Sequence, residues 1–202
     1  MKRIVIPLFV LSMLIIACNN DKPKDSVTVA GKDGKEQETI VPNQLQYAAQ
    51  DMLKIKEELG KLNPLSSDEL RALIPEQLMG ATPTKVEVNA AMGATVANVD
   101  YKINDSTVIK LEVVDCAGPG GVGLFVIQYM DIVDDVEESD EEITFKTIEF
   151  NGYKAFESCR KIRRDDCTFT YFSGNRFLIS LKGDNSGIDI LKSIAKELKI
   201  TK

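Results

Sequence analysis

The chain has 202 residues, 44% of them hydrophobic, and its formal net charge is −6. This length supports one ordinary domain with an additional segment, and the acidic charge argues against nucleic acid as a partner. The absence of histidine excludes serine–histidine and cysteine–histidine nucleophile pairs and imidazole metal sites. Carboxylates, lysine or tyrosine could still catalyse a reaction, but no motif marks such a site, and we predict no catalytic residues, no metal site and no cofactor.

Residues 1–17 have the composition of a signal peptide. Lys2 and Arg3 precede an apolar run from Ile4 to Ala17, and a basic start, a short apolar run and a small residue are typical of an export signal. A transmembrane anchor or a buried helix is the alternative interpretation. The run is shorter than the roughly 20 residues that a membrane-spanning helix needs, which favours the signal peptide.

The end of this run resembles a known processing motif. Ile15-Ile16-Ala17-Cys18 resembles the lipobox of bacterial lipoproteins, in which the cysteine is lipidated on sulfur and becomes the mature N-terminus. The resemblance implies palmitate-type lipidation at Cys18 and a membrane as partner through this N-terminal lipid. It also implies the bacterial cell envelope. Because Asn19 is not aspartate, it implies the outer membrane, facing the periplasm or the surface, rather than retention at the inner membrane.

The segment that follows Cys18 is polar. Residues 18–42 are rich in Lys, Asp, Gly, Glu and Gln. Too few apolar side chains are present to offset the entropy of ordering the segment. We therefore predict a flexible tether between the lipid and a folded domain.

An amphipathic helix is predicted over residues 43–63, capped by Asn43 and ended by Asn63-Pro64. Its apolar residues recur at spacings of three and four, which places them on one narrow stripe: Leu45, Ala48, Met52, Ile55, Leu59 and Leu62. Such a stripe packs against the rest of the domain, or it forms an oligomerising or partner-binding seam. The pattern leaves both interpretations open.

An α+β domain is predicted over residues 64–202. It begins with a short helix, because Ser66 and Glu69 have the spacing of a capping box, and this helix is expected to run through Ile74. From Thr84 the apolar period changes to two, which predicts β-strands.

Two further strands are expected before the middle of the chain. They cover residues 94–103 and 107–114, and Asn104-Asp105 between them predicts a tight hairpin turn. A glycine-rich segment, Asp115–Gly123, then interrupts the strands. It satisfies the G-x-G-x-x-G spacing of a dinucleotide-binding turn, but antiparallel signals on both sides argue against the βαβ unit that such a turn needs. We expect a strand-to-helix connection instead.

The helix after this connection is expected from Gly123 to about Val136. Its predicted inward positions are Leu124, Val126, Ile127, Met130 and Val133. An acidic run over residues 134–142 follows. Its oxygen ligands suit calcium, but a solvated charged surface is the commoner case.

A four-stranded antiparallel meander is predicted over residues 143–182, with its first turn at Asn151-Gly152. A second turn centred near Arg163 places Cys159 opposite Cys167, so a disulfide between them is feasible. A bond from Cys116 to either of them, or two buried thiols, are the alternatives. The basic residues of this turn would dock anionic lipid headgroups or form a solvated hairpin tip: Arg160, Lys161, Arg163 and Arg164.

A final helix is expected from a cap at Ser186 to about Leu198. Its apolar face should lie against the sheet and consists of Ile188, Leu191, Ile194, Ala195 and Leu198. The C-terminal half, from Asn151-Gly152-Tyr153 to this helix, resembles a group of uncharacterised bacterial envelope proteins. Its strand–strand–strand–helix order also resembles the PsbP/Mog1-type α+β sandwich. We therefore predict an α+β fold with an antiparallel sheet of about seven strands packed with helices.

The combined expectation is a membrane-anchored envelope lipoprotein. The anchor and the missing catalytic constellation favour a non-catalytic binding or interaction module for an envelope protein or a small ligand. One alternative is a structural scaffold that oligomerises through the helix at residues 43–62. The other is a carboxylate-based hydrolase, which would need paired acids in a cleft.

Overall fold

A computed structural model describes residues 27–30, 36–39, 44–133, 137–139, 142–162 and 166–201 of the chain. The chain divides into two compact units, residues 1–45 and 46–202. In the first unit, β1 (Val27–Ala30) and β2 (Glu36–Thr39) pair as an antiparallel hairpin. Part of the predicted structureless segment 18–42 is therefore strand, because its β-branched residues favour extended backbone. The signal peptide and Cys18 lie outside the described residues.

The second unit is built on one antiparallel sheet of eight strands. Its helices and strands in chain order are α1 (Gln44–Lys61), α2 (Ser67–Arg71), β3 (Pro83–Ala91), β4 (Ala94–Lys102), β5 (Val108–Asp115), α3 (Gly118–Val133), β6 (Glu137–Ser139), β7 (Ile143–Phe150), β8 (Tyr153–Arg160), β9 (Cys167–Ser173), β10 (Phe177–Asp184) and α4 (Ile188–Glu197). The strands lie in the order β3-β4-β5-β10-β9-β8-β7-β6. Seven of them are long and β6 is a three-residue edge strand, so the predicted α+β class and antiparallel sheet are confirmed.

One face of the sheet carries the main hydrophobic core. Alternate residues of β4, β5, β9 and β10 point to it, since successive side chains of a strand face opposite ways. Leu70 of α2 and Leu191 of α4 are buried there against strand residues such as Tyr101, Phe169 and Ile179. These two helices therefore cover this face, and the predicted apolar side of the last helix is confirmed.

A second, smaller core lies at one end of the opposite face, under α1 and α3. The ring of Phe125 lies 4.8 Å from that of Tyr129 and 5.0 Å from that of Phe172. Leu59 of α1 is buried in this cluster and Met52 packs at its margin. The amphipathic helix therefore packs on the domain, although Leu62 is 38% exposed. The cap Asn43 and the side chains of Leu45 and Ala48 lie outside the part of the chain that the structure describes.

Two expectations about α3 are wrong. The helix begins at Gly118, not Gly123, because tertiary packing overrides the weak helix propensity of glycine. Ile127, predicted inward, is 67% exposed, whereas Phe125 and Tyr129 are buried. The aromatic pair at a spacing of four takes the core positions because it buries the most apolar surface. Val136 and the side chains of Met130 and Val133 lie outside the described residues.

Of two turns predicted from the sequence, one is present in the structure and the other is replaced by a longer loop. Asn151 and Gly152 have φ angles of 52° and 80° and join β7 to β8 as predicted. The tight turn at Asn104-Asp105 is wrong, because residues 103–107 form a longer loop in which the Asn104 Oδ1 accepts hydrogen bonds from two backbone amides, both at 3.0 Å. Side-chain carbonyls of asparagine commonly organise loops in this way.

The short helices also differ in detail from expectation. The capping box of Ser66 and Glu69 is confirmed, but α2 ends at Arg71. Beyond it, the Leu73 and Ile74 amides donate to carbonyl oxygens three residues earlier, as in a turn. Gly187 caps α4, and the predicted cap Ser186 is buried instead, its hydroxyl without a hydrogen-bond partner among the described residues. None of the helices described here has the length and apolarity that crossing a membrane requires.

Candidate functional site

Helices α1 and α3 cover only one end of the second sheet face, and polar side chains occupy the part beside them. The strand register places Asn98, Glu112, Ser180 and Thr170 side by side on β4, β5, β10 and β9. We call this the acidic row, after Glu112. Two residues along each strand, on the same face, lies a second row that we call the lysine row: Asp100, Lys110, Lys182 and Thr168.

The two rows border a cavity of about 290 Å³, which we call the sheet-face groove. Its lining residues are Asn98, Val99, Asp100, Lys110, Leu111, Glu112, Thr168, Ser180 and Lys182. Sites for small molecules commonly have volumes of roughly 300–1,000 Å³ and a few convergent polar groups. The volume of the groove lies at the lower end of this range, so the groove has room for a ligand about the size of one sugar or one amino acid.

Glu112 lies at the centre of the groove. Its side chain is half-buried, and this burial raises the pKa of the carboxyl above its ordinary value. Within the described part of the chain, no hydrogen bond or ion pair involves this carboxylate. A half-buried acid without a partner is costly for folding, and such groups are enriched at functional sites.

Lys110 and Lys182 face each other directly across β5 and β10. Lys110 also forms an ion pair with Asp184 at 3.0 Å, whereas Lys182 has no ion-pair partner among the described residues. Like charges in directly opposed positions destabilise a sheet. Asp184 offsets part of this repulsion, and an anion placed between the two ammonium groups would offset more of it.

Hydroxyl groups and aromatic rings continue the two rows towards β7. Thr170 and Ser180 share a hydrogen bond of 2.7 Å, and Ser158 stands opposite Thr168 in the lysine row. Beyond them, the rings of Phe145 and Phe156 are stacked at a centroid distance of 5.7 Å. The open face thus runs from cations through hydroxyls to an aromatic pair.

This arrangement suits binding of a ligand that carries both an anionic group and hydrogen-bond donors. Lysine and hydroxyl side chains donate to the anion, and carboxylate and amide oxygens accept from the donors. In the residues that the structure covers, no group of three or more acidic or cysteine side chains is placed to hold a metal ion. Most of the acidic run that suits calcium, residues 134–136, 140 and 141, lies outside the described residues.

The glycine-rich segment has a packing role. A Cβ atom at Gly120 would lie 2.4 Å from the Met92 carbonyl oxygen and from the Gly93 carbonyl carbon, and one at Gly121 would lie 2.4 Å from the Cys116 carbonyl carbon. Gly120 lets the first turn of α3 pack directly on the β3–β4 hairpin, and Gly121 lets it pack on the backbone at the end of β5. Because β5 pairs antiparallel with both neighbours, the βαβ setting of a dinucleotide-binding turn is absent from the sheet around this segment.

A buried ion pair lies beside the start of α3. Arg176 Nε and Nη2 donate to the two oxygens of Asp115 at 2.8 Å and 3.0 Å. The same carboxylate accepts from the Leu65 and Ala117 amides at 2.6 Å and 3.3 Å. With four donors satisfied, Asp115 has a structural role and not that of a free catalytic acid.

The predicted disulfide is confirmed. Cys159 and Cys167 are directly opposed on β8 and β9, bonded, with their Cα atoms 4.1 Å apart. This leaves Cys116 as a buried free thiol, and burial raises the pKa of that thiol to about 12. The alternative bonds to Cys116 are therefore wrong. Arg163 and Arg164 of the basic turn lie outside the described residues.

The sequence did not reveal the groove. Its residues come from two pairs of consecutive strands, β4–β5 and β9–β10, that lie far apart in the chain, so no linear motif contains them. The one sequence signal that pointed to the groove is that charged residues occupy outward-facing strand positions, with Lys110 and Glu112 on one strand and Lys182 on another. No family model, no curated protein and no solved structure matches the chain.

Proposed function

We propose that this chain is a lipid-anchored protein of the bacterial cell envelope that binds a ligand in the sheet-face groove without transforming it. The observation that carries the proposal is that one groove holds an acid, Glu112, and a cation, Lys182, neither of which has an ion-pair partner among the described residues. Natural proteins retain such uncompensated groups mainly where function needs them.

The anchor in this proposal is the acylated sulfur and amine of Cys18. Two or more acyl chains give stable membrane attachment, whereas one gives only marginal binding. The lipobox-like residues Ile15-Ile16-Ala17-Cys18 support this assignment, and Asn19 supports the outer membrane as the destination. The polar segment that follows would hold the domain away from the lipid surface.

The anchor is tested by growing an expressing bacterium with an alkyne-labelled palmitate. We expect label on the full chain, partitioning into the detergent phase of a Triton X-114 extract, and loss of both in Cys18→Ser. Cys116→Ser is the matched control and should keep the label. Unlabelled wild-type chain in the aqueous phase would contradict the lipid anchor.

Ligand binding is tested separately, with the full chain in detergent. A thermal-shift screen should include amino acids, neutral and acidic sugars, and phosphorylated headgroup analogues. We expect at least one class to raise the unfolding temperature, and the increase should be lost in the double variant Glu112→Gln/Lys182→Gln. Lys61→Gln, on the exposed side of α1, is the control. A screen in which no class acts through the groove would overturn the binding proposal.

A carboxylate-based hydrolase is the second candidate. Asp100 and Glu112 lie on adjacent strands and both line the groove, and acid catalysis needs two carboxyl groups whose environments differ. Turnover of a bound ligand, abolished by Asp100→Asn and by Glu112→Gln, would favour this candidate over the binding protein. Binding without turnover would favour the binding protein.

A scaffold that oligomerises through the helix at residues 43–62 is less well supported. Part of the apolar stripe of α1 packs against its own domain, since Leu59 is buried and Met52 and Ile55 pack against the second core. These residues are therefore not free to form an oligomer interface. Analytical ultracentrifugation decides the matter, because this scaffold would dimerise in a concentration-dependent way.

We also propose that the fold is a PsbP/Mog1-type sandwich. The order β8–β9–β10–α4, with α4 packed on β9 and β10, supports this assignment. Superposition of the sheet and α4 on a sandwich of that type is the test.

A further inference from the structure

We infer that the ligand of the sheet-face groove is an acidic saccharide, bound with its carboxylate between Lys110 and Lys182 and its hydroxyls on Glu112 and Asn98. This inference rests on the proposal that the groove binds a ligand. It adds the chemical class of that ligand.

The lysine row forms the anion-binding end. Lys110 and Lys182 are directly opposed, and Thr168 is directly opposed to Lys182 on the next strand. Two ammonium groups and one hydroxyl therefore point out of the same face at neighbouring positions. A planar carboxylate has two acceptor oxygens, which suits two separate cationic donors.

The acidic row forms the hydroxyl-binding end. Glu112 and Asn98 are directly opposed and lie two residues from the lysine row, which is about 7 Å along a strand. Carboxylate and amide oxygens accept hydrogen bonds from ligand hydroxyls. One pyranose ring with a carboxylate at one end and free hydroxyls at the other spans this distance.

The aromatic pair, Phe145 and Phe156, offers a surface on which a second sugar unit can pack. Phe156 lies on β8, two strands from Lys182 on β10, which corresponds to about 9.5 Å across the sheet. Phe145 and Phe156 are both only partly buried, and one side of Phe156 packs against the second core. A sugar has an apolar face of C–H groups, and the flat apolar face of an aromatic ring can pack against it.

Other ligand classes use only part of this surface. Inorganic phosphate would engage the two lysines and leave Glu112 unpartnered. A neutral sugar would satisfy Glu112 but leave Lys182 without an ion-pair partner among the described residues, beside a Lys110 that only Asp184 neutralises. Nucleic acid is disfavoured by the net charge of −6.

The test is a calorimetric titration of the full chain in detergent at low salt. The probes are an acidic disaccharide of uronic acid units, the neutral disaccharide of the same linkage, and inorganic phosphate. We expect the acidic disaccharide to bind at least tenfold more tightly than either other probe. We also expect Lys182→Gln to weaken this binding about tenfold or more, as loss of one charge-assisted hydrogen bond implies.

The controls separate the two proposals. Glu112→Gln should also weaken binding of the acidic disaccharide, and Lys61→Gln should not; all variants must keep a cooperative thermal transition. Equal binding of the acidic and neutral disaccharides, or phosphate binding as tightly as the disaccharide, overturns the saccharide inference and leaves groove binding standing. The same holds if another class, such as amino acids, binds through Glu112 and Lys182. Binding that neither Glu112→Gln nor Lys182→Gln changes places the site elsewhere and overturns both.

Discussion

Arg176, in the turn just before β10, forms a two-point ion pair with Asp115 at the end of β5, although the Asp115 side chain is fully buried and that of Arg176 is only 10% exposed. Arg176 Nη2 also donates to the Asn63 carbonyl oxygen at 2.7 Å. The Asp115 carboxylate in turn accepts from the Leu65 amide. The pair therefore connects the sheet with the segment between α1 and α2. Because Asp115 also accepts from the Ala117 amide, the same pair holds the residues just before α3.

Removing one partner of the Asp115–Arg176 pair should strongly destabilise the fold. Arg176→Met leaves the Asp115 charge buried without its cation, and we expect a loss of about 3–5 kcal/mol in the free energy of unfolding, measured in urea. The double variant Asp115→Asn/Arg176→Met should recover part of this loss, because no uncompensated charge remains. Lys102→Met removes one partner of an exposed ion pair and should leave the midpoint of urea unfolding unchanged. If Arg176→Met behaves like Lys102→Met, the pair has no structural role.

The glycines of α3 give a matched test of close packing. A Cβ at Gly120 would meet the backbone of Met92 and Gly93 at 2.4 Å, whereas one at Gly123 meets nothing within 4 Å. Gly120→Ala should therefore destabilise the chain, since rigid backbone must move. Gly123→Ala should stabilise it by about 0.5–1 kcal/mol, because alanine is the better helix former.

Thermal unfolding of the two alanine variants is the measurement. Changes of the same sign in both would contradict the close contact between the first turn of α3 and the β3–β4 hairpin. A glycine-rich stretch that looks like a ligand loop in sequence would then need another explanation.

The cysteines predict a simple pattern of reactivity. In the Cys18→Ser chain at neutral pH, we expect no thiol to react with a soluble reagent in the native state. One thiol should react after unfolding and three after unfolding with reduction, because Cys116 is buried and the other two are bonded. Mass spectrometry of the alkylated chain counts them. A native chain that reacts at Cys116 would contradict its burial.

The Cys159–Cys167 disulfide should contribute modestly to the stability of the fold. By loop-closure entropy, Cys159→Ser/Cys167→Ser should lower the free energy of unfolding by about 2.5 kcal/mol. Urea unfolding of the non-reduced chain against this variant is the measurement. A variant of unchanged stability would mean that strain in the native bond offsets the entropic gain.

The sequence predicted the meander of β7 to β10 well because its signals are local. Asn151-Gly152 specifies a turn that sets the register of β7 against β8, and the strand period then places Cys159 opposite Cys167. A capping box needs only Ser66 and Glu69, and it too was found. In these cases the residues that determine the structure lie within a few positions of one another.

The remaining features depend on contacts between distant segments. The start of α3 at Gly118 is stabilised by the β3–β4 hairpin, which overrides glycine's propensity. The position of Ser186 is set by packing, since it lies against Gly183. The groove requires β5 and β10 to be neighbours, and their pairing joins Lys110 to Lys182 across 72 positions of the sequence. Periodicity within one strand carries no information on which strand lies beside it.

Glu112 predicts a dependence of stability on pH. Burial raises the pKa of this carboxyl in the folded chain, so ionisation costs more in the folded than in the unfolded state. The contribution of Glu112 to stability is therefore complete below its unfolded pKa, about 4.3, and is lost as the pH rises through the folded pKa. Glu112→Gln cannot ionise. We expect it to unfold at a higher temperature than the wild type at pH 7, with the difference disappearing below about pH 4.

The control for this prediction is Glu87→Gln, the same substitution on the edge strand β3, which β4 separates from the strand of Glu112. Glu87 forms an ion pair with Lys85 at 3.0 Å, so its loss should not raise the unfolding temperature at pH 7. An equal gain for Glu112→Gln at both pH values would show that ionisation is not the cause. A gain confined to pH 7, together with weaker binding of the acidic disaccharide, would show that the groove retains a charge that opposes folding because the ligand requires it.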